Sequence, residues 1–171
     1  MKLIPYDPLR ENDLENYLRY NLENEKLQEK LKESYGETEL FFHYNNLNKI
    51  REVTNVKNKK IIDLGCGSMQ ESDGFTYKPW ISRSLYELNS KVIGIDINDN
   101  SKEKFENYKL DLTKKDSINF FEENSIDLAC AFSFFDAPSL KNPPETFKNL
   151  IQQLEKIVKP EGHFIFHSFG L

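Results

Sequence analysis

From residue 59 onward, short apolar runs alternate with stretches of helical periodicity. The clearest helix covers residues 145–158, where apolar side chains recur on one side of the helix, behind a pair of prolines. A shorter helix is predicted over residues 79–88, with a proline in its first turn. The apolar runs predict five strands, at residues 60–64, 92–96, 108–110, 126–132 and 163–167. This alternation predicts an α/β fold whose strands form a parallel sheet with right-handed crossovers.

The beginning of the chain has a helical pattern instead. Apolar residues recur there every four positions, at Leu14, Leu18 and Leu22 and then at Leu27, Leu31 and Tyr35. Gly36 ends this stretch, and Thr38 is placed to cap a second helix. We therefore expect a helical cover over residues 1–57, packed on an α/β domain at residues 58–171 to form one unit.

Length, composition and charge narrow the classes of function. A chain of 171 residues is long enough for one α/β domain and too short for two ordinary ones. No apolar run approaches the roughly 20 residues that span a bilayer. The first residues also lack the apolar stretch of a signal peptide, so we expect a cytoplasmic protein without a membrane partner. A net charge of −5, without a clustered basic stripe, argues against nucleic acid as the partner.

The two cysteines add little chemistry. Cys66 and Cys130 lie in segments predicted to be buried ends of strands, and they do not have the CxxC spacing of a zinc site. A disulfide is unusual in the cytosol. We expect both thiols to be reduced and the protein to bind no metal.

Acidic and glycine residues follow the first three predicted strands, at the places where open parallel sheets bind ligands. Asp63, Gly65 and Gly67 surround the end of the first strand, where glycines permit a tight turn and a close approach to the backbone. Asp96 ends the second strand, where a carboxylate can accept hydrogen bonds from both hydroxyls of a ribose. Asp111 follows the third strand and can accept from an adenine amino group. Each feature alone is also typical of an ordinary turn or helix cap, so the functional interpretation depends on their order and placement.

In that order, these segments resemble the class I S-adenosylmethionine-dependent methyltransferases. The matching segments are Asp63-x-Gly65-x-Gly67, the strand-end Asp96, Leu110-Asp111-Leu112, the strand at 126–132, and the IVKPEGHF segment at 157–164, commonly LLKPGG in the family. The resemblance covers roughly residues 58–169. It implies a Rossmann-like parallel sheet in the strand order 3-2-1-4-5, lacking the family's usual final hairpin. It also implies S-adenosylmethionine as the cofactor and methyl transfer as the activity.

The resemblance implies a role for each matching residue. The glycine turn would lie against the methionine part of the cofactor, with Asp63 acting through hydrogen bonds nearby. Asp96 would hold the ribose and Asp111 the adenine, with the apolar neighbours of these two acids on either side of the ring. The residues after the fourth strand would border the pocket. The implied cofactor-binding residues are Asp63, Gly65, Cys66, Gly67, Asp96, Ile97, Asp111, Leu112, Phe132 and Ser133.

Other interpretations compete with this one. A dinucleotide oxidoreductase is disfavoured, because the turn lacks the third glycine of GxGxxG and the next helix begins only near Pro79. Residues 142–145 come too late, and lack the aromatic residue, for the Asn-Pro-Pro-aromatic motif of enzymes that methylate amino groups of nucleic acids. A non-catalytic S-adenosylmethionine-binding module and an interaction domain of the same fold stay open as alternatives.

Three departures from the family pattern bear on the pocket and the sheet. Met69 replaces a glycine, and residues 68–78 form a long loop that is either a lid over the cofactor or a surface excursion anchored by Trp80. The sequence ends soon after the fifth strand, whose edge would then be exposed. We expect this edge to be covered by the N-terminal helices or by a second copy in a homodimer, unless the chain is trimmed.

The catalytic residues and the methyl acceptor are left open by the sequence. Methyl transfer needs mainly positioning and a dry pocket, although many acceptors also need a base. The candidate bases are Asp136 after the fourth strand, His167 near the end of the fifth, and His43, beside Tyr44, on the second N-terminal helix. For each of them a structural role is the stronger interpretation: a turn former, a strand-face residue and a solvated helix residue. The net charge favours a small molecule or a protein as the acceptor.

Overall fold

The computed structural model describes residues 1–5, 37–68, 78–132, 134–135, 137 and 140–167. The strands are β1 (Lys2–Pro5), β2 (Lys60–Leu64), β3 (Lys91–Asp96), β4 (Glu106–Lys109), β5 (Ile126–Phe132) and β6 (Val158–His167). The helices are α1 (Glu37–Val53), α2 (Trp80–Glu87) and α3 (Pro143–Ile157). Within the described residues no helix is both long enough and apolar enough to cross a membrane.

The described strands form one sheet in which each neighbouring pair is parallel. Their order across the sheet is β1-β6-β5-β2-β3-β4. The five strands expected from the sequence follow one another as β4-β3-β2-β5-β6, so the predicted order 3-2-1-4-5 is confirmed. β2 lies in the middle of the sheet, where a strand is covered on both faces, and residues 61–64 are all buried.

The sixth strand, β1, was not predicted. It pairs in parallel with β6, from Lys2 opposite His163 to Pro5 opposite Phe166. The edge of β6 that the sequence left open is therefore covered by the chain itself, and a homodimer is not needed to cover it. A four-residue strand is too short to have a recognisable period, and its partner lies at the far end of the chain. Residues 6–36, which make up most of the expected helical cover, lie outside the described residues.

The junction between α3 and β6 differs from the prediction. The helix ends at Ile157, and Val158 already has an extended backbone with φ −81° and ψ 135°. The predicted turn at residues 160–162 therefore lies inside a strand. The register between β5 and β6 shifts between Ile126 and Leu128, which shows that the strand is bulged at this level. Proline and glycine mark this irregular part of β6, where the sequence suggested a turn.

Gly162 lies in this bulge at a place that has no room for a side chain. A Cβ atom there would lie 2.6 Å from Val158 Cγ1 and 2.9 Å from the carbonyl oxygen of Asp127. Because a backbone oxygen cannot swing aside, Gly162→Ala should lower the free energy of unfolding by about 1–3 kcal/mol in urea denaturation. The control is Glu161→Ala, at the exposed neighbouring position, which should change it by less than about 0.5 kcal/mol. Equal stability of the two variants would show that the bulge has more room than these distances allow.

Helices cover both faces of the sheet. α1 and α2 pack on one face, where the buried residues include Leu47, Ile50, Ile61, Trp80, Ile81, Leu85, Leu128 and Ile165. α3 packs on the other face, where they include Ile62, Leu64, Ile93, Ile95, Leu150, Leu154, Ile157 and Phe164. The prediction that Pro79 belongs to the first turn of α2 is wrong. Pro79 is the residue before α2, with φ −79° and ψ 59°. Because side chains alternate along a strand, Asp63 of β2 shares the α1–α2 face with Ile61.

Candidate functional site

The chain turns sharply after β2 at two glycines. Gly65 and Gly67 have φ values of 68° and 85°, which residues with a side chain rarely adopt. The N–H groups of Gly65 and Cys66 donate to the carbonyl oxygen of Ile95, at 2.8 and 3.0 Å, and tie the turn to β3. A Cβ atom on Gly65 would lie only 2.6 Å from Cδ2 of Phe134. The group that approaches the backbone closely at Gly65 is therefore the ring of Phe134, where the sequence analysis expected a ligand.

Asp96 holds this turn from the end of β3. Its side chain is buried, with the residue 9% exposed. One carboxylate oxygen, Oδ2, accepts a hydrogen bond from the N–H of Gly67 at 2.9 Å. The other, Oδ1, accepts from the N–H of Asn98 at 2.9 Å. A carboxylate has about four acceptor positions, and these two bonds use two of them. The structure thus brings together the glycine turn and the acid that the sequence singled out at two strand ends.

The loop after β3 adds a residue that the sequence analysis missed. Asn100 is buried, and its Nδ2 donates to the Gly67 carbonyl oxygen at 2.8 Å and to Cys66 Sγ at 3.5 Å. Its Oδ1 atom is buried, and none of the described residues donates a hydrogen bond to it. Ser68 Oγ donates to the carbonyl oxygen of Asp99 at 3.1 Å, a second link between the two loops. Asparagine is common in ordinary loops, so nothing in the local pattern distinguishes Asn100 from its neighbours.

Asp63 lies beneath the glycine turn, inside the protein. It is 3% exposed, and Ser82 of α2 donates its hydroxyl to Oδ2 at 2.7 Å. The thiol of Cys130, on β5, donates to Oδ1 at 3.5 Å. Burial is the main cause that raises the pKa of Asp63 from 3.8 to about 6, and the negative charge of Asp96 adds to it, while hydrogen bonds from the Ser82 hydroxyl, the Cys130 thiol and the Ser82 backbone lower it. Asp63 is thus a buried carboxyl that gains or loses its proton near pH 6. Ser82, like Asn100, is a residue of this site that the sequence analysis missed.

Both cysteines are free and buried on this side of the sheet. Burial raises the pKa of each thiol well above its ordinary range, and the negative charge of Asp63 adds to this effect. Cys66 and Cys130 are therefore neutral thiols next to the buried carboxyl. Across the described ranges, no group of three His, Cys, Asp or Glu side chains is placed to hold a metal ion.

The buried Asp63 predicts an unusual dependence of stability on pH. Its pKa is near 6 in the folded chain and near 3.8 when unfolded, so its stabilising contribution is complete below about pH 4 and is lost as pH rises through about 6. Burial lowers the pKa of His43 from 6.5 to about 4, so its contribution is lost as pH falls over that interval. Because the two effects oppose each other, Asp63→Asn should steepen the loss of stability on acidification from about pH 6.5 to about pH 4.5. Urea unfolding across this range measures it, and parallel profiles for the two proteins would refute a raised pKa at Asp63.

The residues expected around the adenine lie in different environments. Asp111 Oδ1 accepts hydrogen bonds from the Thr113 N–H at 3.0 Å and from its hydroxyl at 2.6 Å. These bonds lower the pKa of Asp111 and orient its carboxylate within its own loop. Ile97, just after β3, is 62% exposed and offers apolar surface to a ligand. Leu112 is only 4% exposed and packs in the core on the α3 side of the sheet.

Several other predicted positions lie outside the described residues. They are Ser133, Asp136, residues 69–77 of the suggested lid, and the side chain of Tyr44. Phe132, at the end of β5, is described: it is partly buried and packs against the core on the α1–α2 face. Of the two residues expected to border the pocket after β5, only Phe132 is therefore placed by the structure.

His43 and His167 both contact the ring of Phe42 on α1. Its centroid lies 5.7 Å from the centroid of the His43 ring and 5.5 Å from that of His167, with tilted edge-on geometry. His167, at the end of β6, is 3% exposed. His43 was interpreted as a solvated helix residue, but it is partly buried, and its lowered pKa keeps the imidazole neutral at neutral pH. The two candidate bases thus lie on the same side of the sheet and share one aromatic neighbour.

Three solved structures show what this chain is similar to. A protein of Methanococcus maripaludis assigned to the S-adenosylmethionine-dependent methyltransferases is 16% identical, with 73% of this chain and 55% of that one covered and a TM-score of 0.48. A methyltransferase of this kind from Aquifex aeolicus is 21% identical, with 67% and 59% covered and a TM-score of 0.42. Geranyl diphosphate C-methyltransferase from Streptomyces coelicolor is 10% identical, with 86% and 52% covered and a TM-score of 0.49.

This chain spans between 52% and 59% of the length of these three structures. No protein-family profile and no curated protein matches the sequence. At such identities and TM-scores the likeness assigns no substrate and no reaction to this chain. Its own sheet identifies the fold, because parallel strands in the order 3-2-1-4-5 with a glycine turn after the first make it a Rossmann-like α/β protein.

Proposed function

We propose that this chain binds S-adenosylmethionine at the carboxyl ends of β2 and β3 and transfers its methyl group to a small molecule or a protein. The observation that carries the proposal is the hydrogen bond from the Gly67 N–H to the Asp96 carboxylate, which joins the glycine turn to the strand-end acid. Open parallel sheets bind ligands at this edge, near the point where the strand order reverses. The order of motifs shared with the class I methyltransferases supports assigning the turn to the methionine part and Asp96 to the ribose.

The residues present are suited to this cofactor. Asp96 has acceptor positions for two adjacent hydroxyl groups, since the described residues use two of about four. The unpartnered Oδ1 of Asn100 offers a buried acceptor next to the turn, and a donor from a ligand would relieve the cost of leaving it unpaired. Ile97 offers exposed apolar surface beside Asp96 for an aromatic base. Polar groups for the sugar and an apolar surface for the base thus lie side by side.

In the proposed mechanism the protein mainly positions the reactants. The cofactor supplies an activated methyl group on its sulfonium, and an in-line displacement needs alignment and a dry pocket. Asp96 and the glycine turn fix one end of the cofactor, while the rings of Phe132 and Phe134 provide apolar surroundings after β5. His43, neutral at neutral pH, is able to take a proton from an acceptor that reaches the α1 side of the sheet.

The acceptor class is proposed from charge. The chain has a net charge of −5, which disfavours a polyanion such as nucleic acid. A neutral or cationic small molecule, or a side chain of a protein, fits this charge better.

A non-catalytic S-adenosylmethionine-binding module is the second candidate. It is favoured by the burial of His167 and by the packing of both histidines on Phe42, which are typical of structural residues. The two candidates share the cofactor site and differ in whether product forms.

Incubation with S-adenosylmethionine labelled in its methyl group tests the proposal, with a panel of small nucleophiles and a protein mixture as acceptors. We expect acceptor-dependent formation of S-adenosylhomocysteine and transfer of the label, and in Asp96→Ala both should need about five- to 150-fold more cofactor. Binding without product for every acceptor would support the module instead. Absence of both binding and product would exclude both candidates.

A further inference from the structure

The carboxyl of Asp63 is buried and is not placed for direct contact with a cofactor. It is 3% exposed and already hydrogen-bonded to Ser82 and Cys130, so it has little surface to offer a ligand. Both partners are uncharged, a hydroxyl and a thiol. Among the described residues no lysine, arginine or histidine forms an ion pair with it. A carboxylate buried without a cation is costly, so the pKa of Asp63 is raised to about 6 and the carboxyl is half protonated near that pH.

Among the residues that the structure describes, the groups that face Asp63 from the neighbouring elements supply no positive charge. Asp96 on β3 is negative and disfavours a second negative charge nearby. The thiols of Cys66, in the turn, and Cys130, on β5, stay neutral. From α2 the contact is the hydroxyl of Ser82, and the next residue, Arg83, is paired with Glu103. α1 packs against α2 and carries His43, which is neutral at neutral pH.

A cation bound on the glycine turn would change this balance. The turn begins two residues after Asp63, and Asp96, which accepts from the turn, is near enough for its charge to act on Asp63. Charges interact over several ångströms in a poorly solvated interior, so a cation above the turn would favour the charged form of Asp63. S-adenosylmethionine carries a sulfonium charge that its product, the thioether S-adenosylhomocysteine, lacks. The two ligands otherwise share the same adenosine and amino-acid groups.

We propose that Asp63 is a charge sensor beneath the glycine turn, which releases its proton to solvent when the sulfonium cofactor binds and keeps it when the thioether product binds. This inference rests on the proposed cofactor site. Asp63 then acts as a positioning and specificity residue that favours substrate over product without touching either. Because binding that releases a proton is stronger at higher pH, the preference for the sulfonium form increases as pH rises through the titration of Asp63.

Calorimetric titrations in two buffers with different ionisation enthalpies measure the protons released on binding, at several pH values between about 5 and about 7. We expect S-adenosylmethionine to release more protons than S-adenosylhomocysteine. Its Kd should fall with rising pH, by at most about tenfold per pH unit, and more steeply than the Kd of the product. In Asp63→Asn the difference between the ligands in proton release should disappear. The matched control is Asp99→Asn, at a carboxylate in the loop after β3 that accepts hydrogen bonds from Ser101, and it should keep the difference.

Ser82→Ala keeps the test informative should Asp63→Asn not fold. It removes a hydrogen bond that favours the charged carboxyl, so the pH range of proton release should move upward while Asp63 is retained. Equal proton release by both ligands, or a difference that persists in Asp63→Asn, would overturn the charge sensor and leave the cofactor site standing. Failure of both ligands to bind at all pH values would instead overturn the proposed site, and the sensor with it.

Discussion

Replacing Asp96 with alanine should weaken the binding of S-adenosylmethionine by roughly 1–3 kcal/mol, the range for losing hydrogen bonds to a charged group. This corresponds to a rise in Kd of about five- to 150-fold. Two losses combine in this variant. The ribose hydroxyls lose their carboxylate acceptor, and the N–H of Gly67 loses the partner that holds the turn against β3. Calorimetric titration of the variant and the wild-type chain measures the effect.

The control for this prediction is Asp99→Ala, three residues along the same loop. Among the described residues, the carboxylate of Asp99 accepts hydrogen bonds only from the N–H and hydroxyl of Ser101, and the link from Ser68 uses the backbone oxygen of Asp99. Its removal should therefore change the Kd by less than about twofold, within the range of ordinary surface substitutions. A folded Asp96→Ala variant that binds with wild-type affinity would show that the cofactor does not use this carboxylate.

The largest expected effect on stability is that of Gly65→Ala, about 2–4 kcal/mol. A residue with a side chain pays about 1 kcal/mol or more at the left-handed φ of 68°. A Cβ atom would also lie 2.6 Å from Cδ2 and 2.9 Å from Cβ of Phe134. Since the second of these atoms is attached to the backbone, rotation of the ring cannot remove the overlap, which adds about 1–3 kcal/mol. Urea unfolding measures the loss.

A double-mutant cycle with Phe134→Ala isolates the part of the loss that the ring causes. Phe134→Ala removes Cγ and Cδ2 and keeps Cβ, so it should restore only the stability lost to the ring atoms, while the overlap with Cβ and the cost of the backbone conformation persist. The coupling between the two substitutions should therefore be favourable and smaller than about 3 kcal/mol. Strictly additive effects would show that the ring does not occupy the space beside Gly65.

Much of the fold could be predicted, because buried parallel strands are marked by short apolar runs. β2 and β5 begin and end where the sequence indicates, at Lys60–Leu64 and Ile126–Phe132. β1 could not be predicted, since its four residues have no period and pair with the opposite end of the chain. The turn expected at residues 160–162 became a bulge for a related reason, because proline and glycine mark irregular backbone in strands as well as in turns.

The candidate site was predictable at the strand ends and not between them. Asp96 is the last residue of β3, so it lies where the strands end at their carboxyl termini. In the structure it accepts a hydrogen bond from Gly67. Which residues from other loops complete the site depends on tertiary packing. Phe134 fills the space beside Gly65, and Asn100 bonds to the turn, without any local signal in the sequence. Leu112 illustrates the opposite case, since a residue expected at the cofactor is buried in the core.

The position of Asp63 could have been inferred from the alternation within β2. It lies two residues after Ile61 and so points to the same face of the sheet, towards α2. There the hydroxyl of Ser82 donates a hydrogen bond to it. The family resemblance assigned it a role near the methionine part of the cofactor. In the structure it is 3% exposed and accepts hydrogen bonds from Ser82 and Cys130.

The most direct test of the proposed site is isothermal titration calorimetry of the purified, folded chain with S-adenosylmethionine and with S-adenosylhomocysteine. We predict that each binds at one site per chain with a micromolar Kd, on the order of −8 kcal/mol, and that Asp96→Ala weakens both. Absence of binding by either ligand to a monodisperse chain that unfolds cooperatively would contradict the site. The glycine turn and Asp96 would then be features of the fold alone.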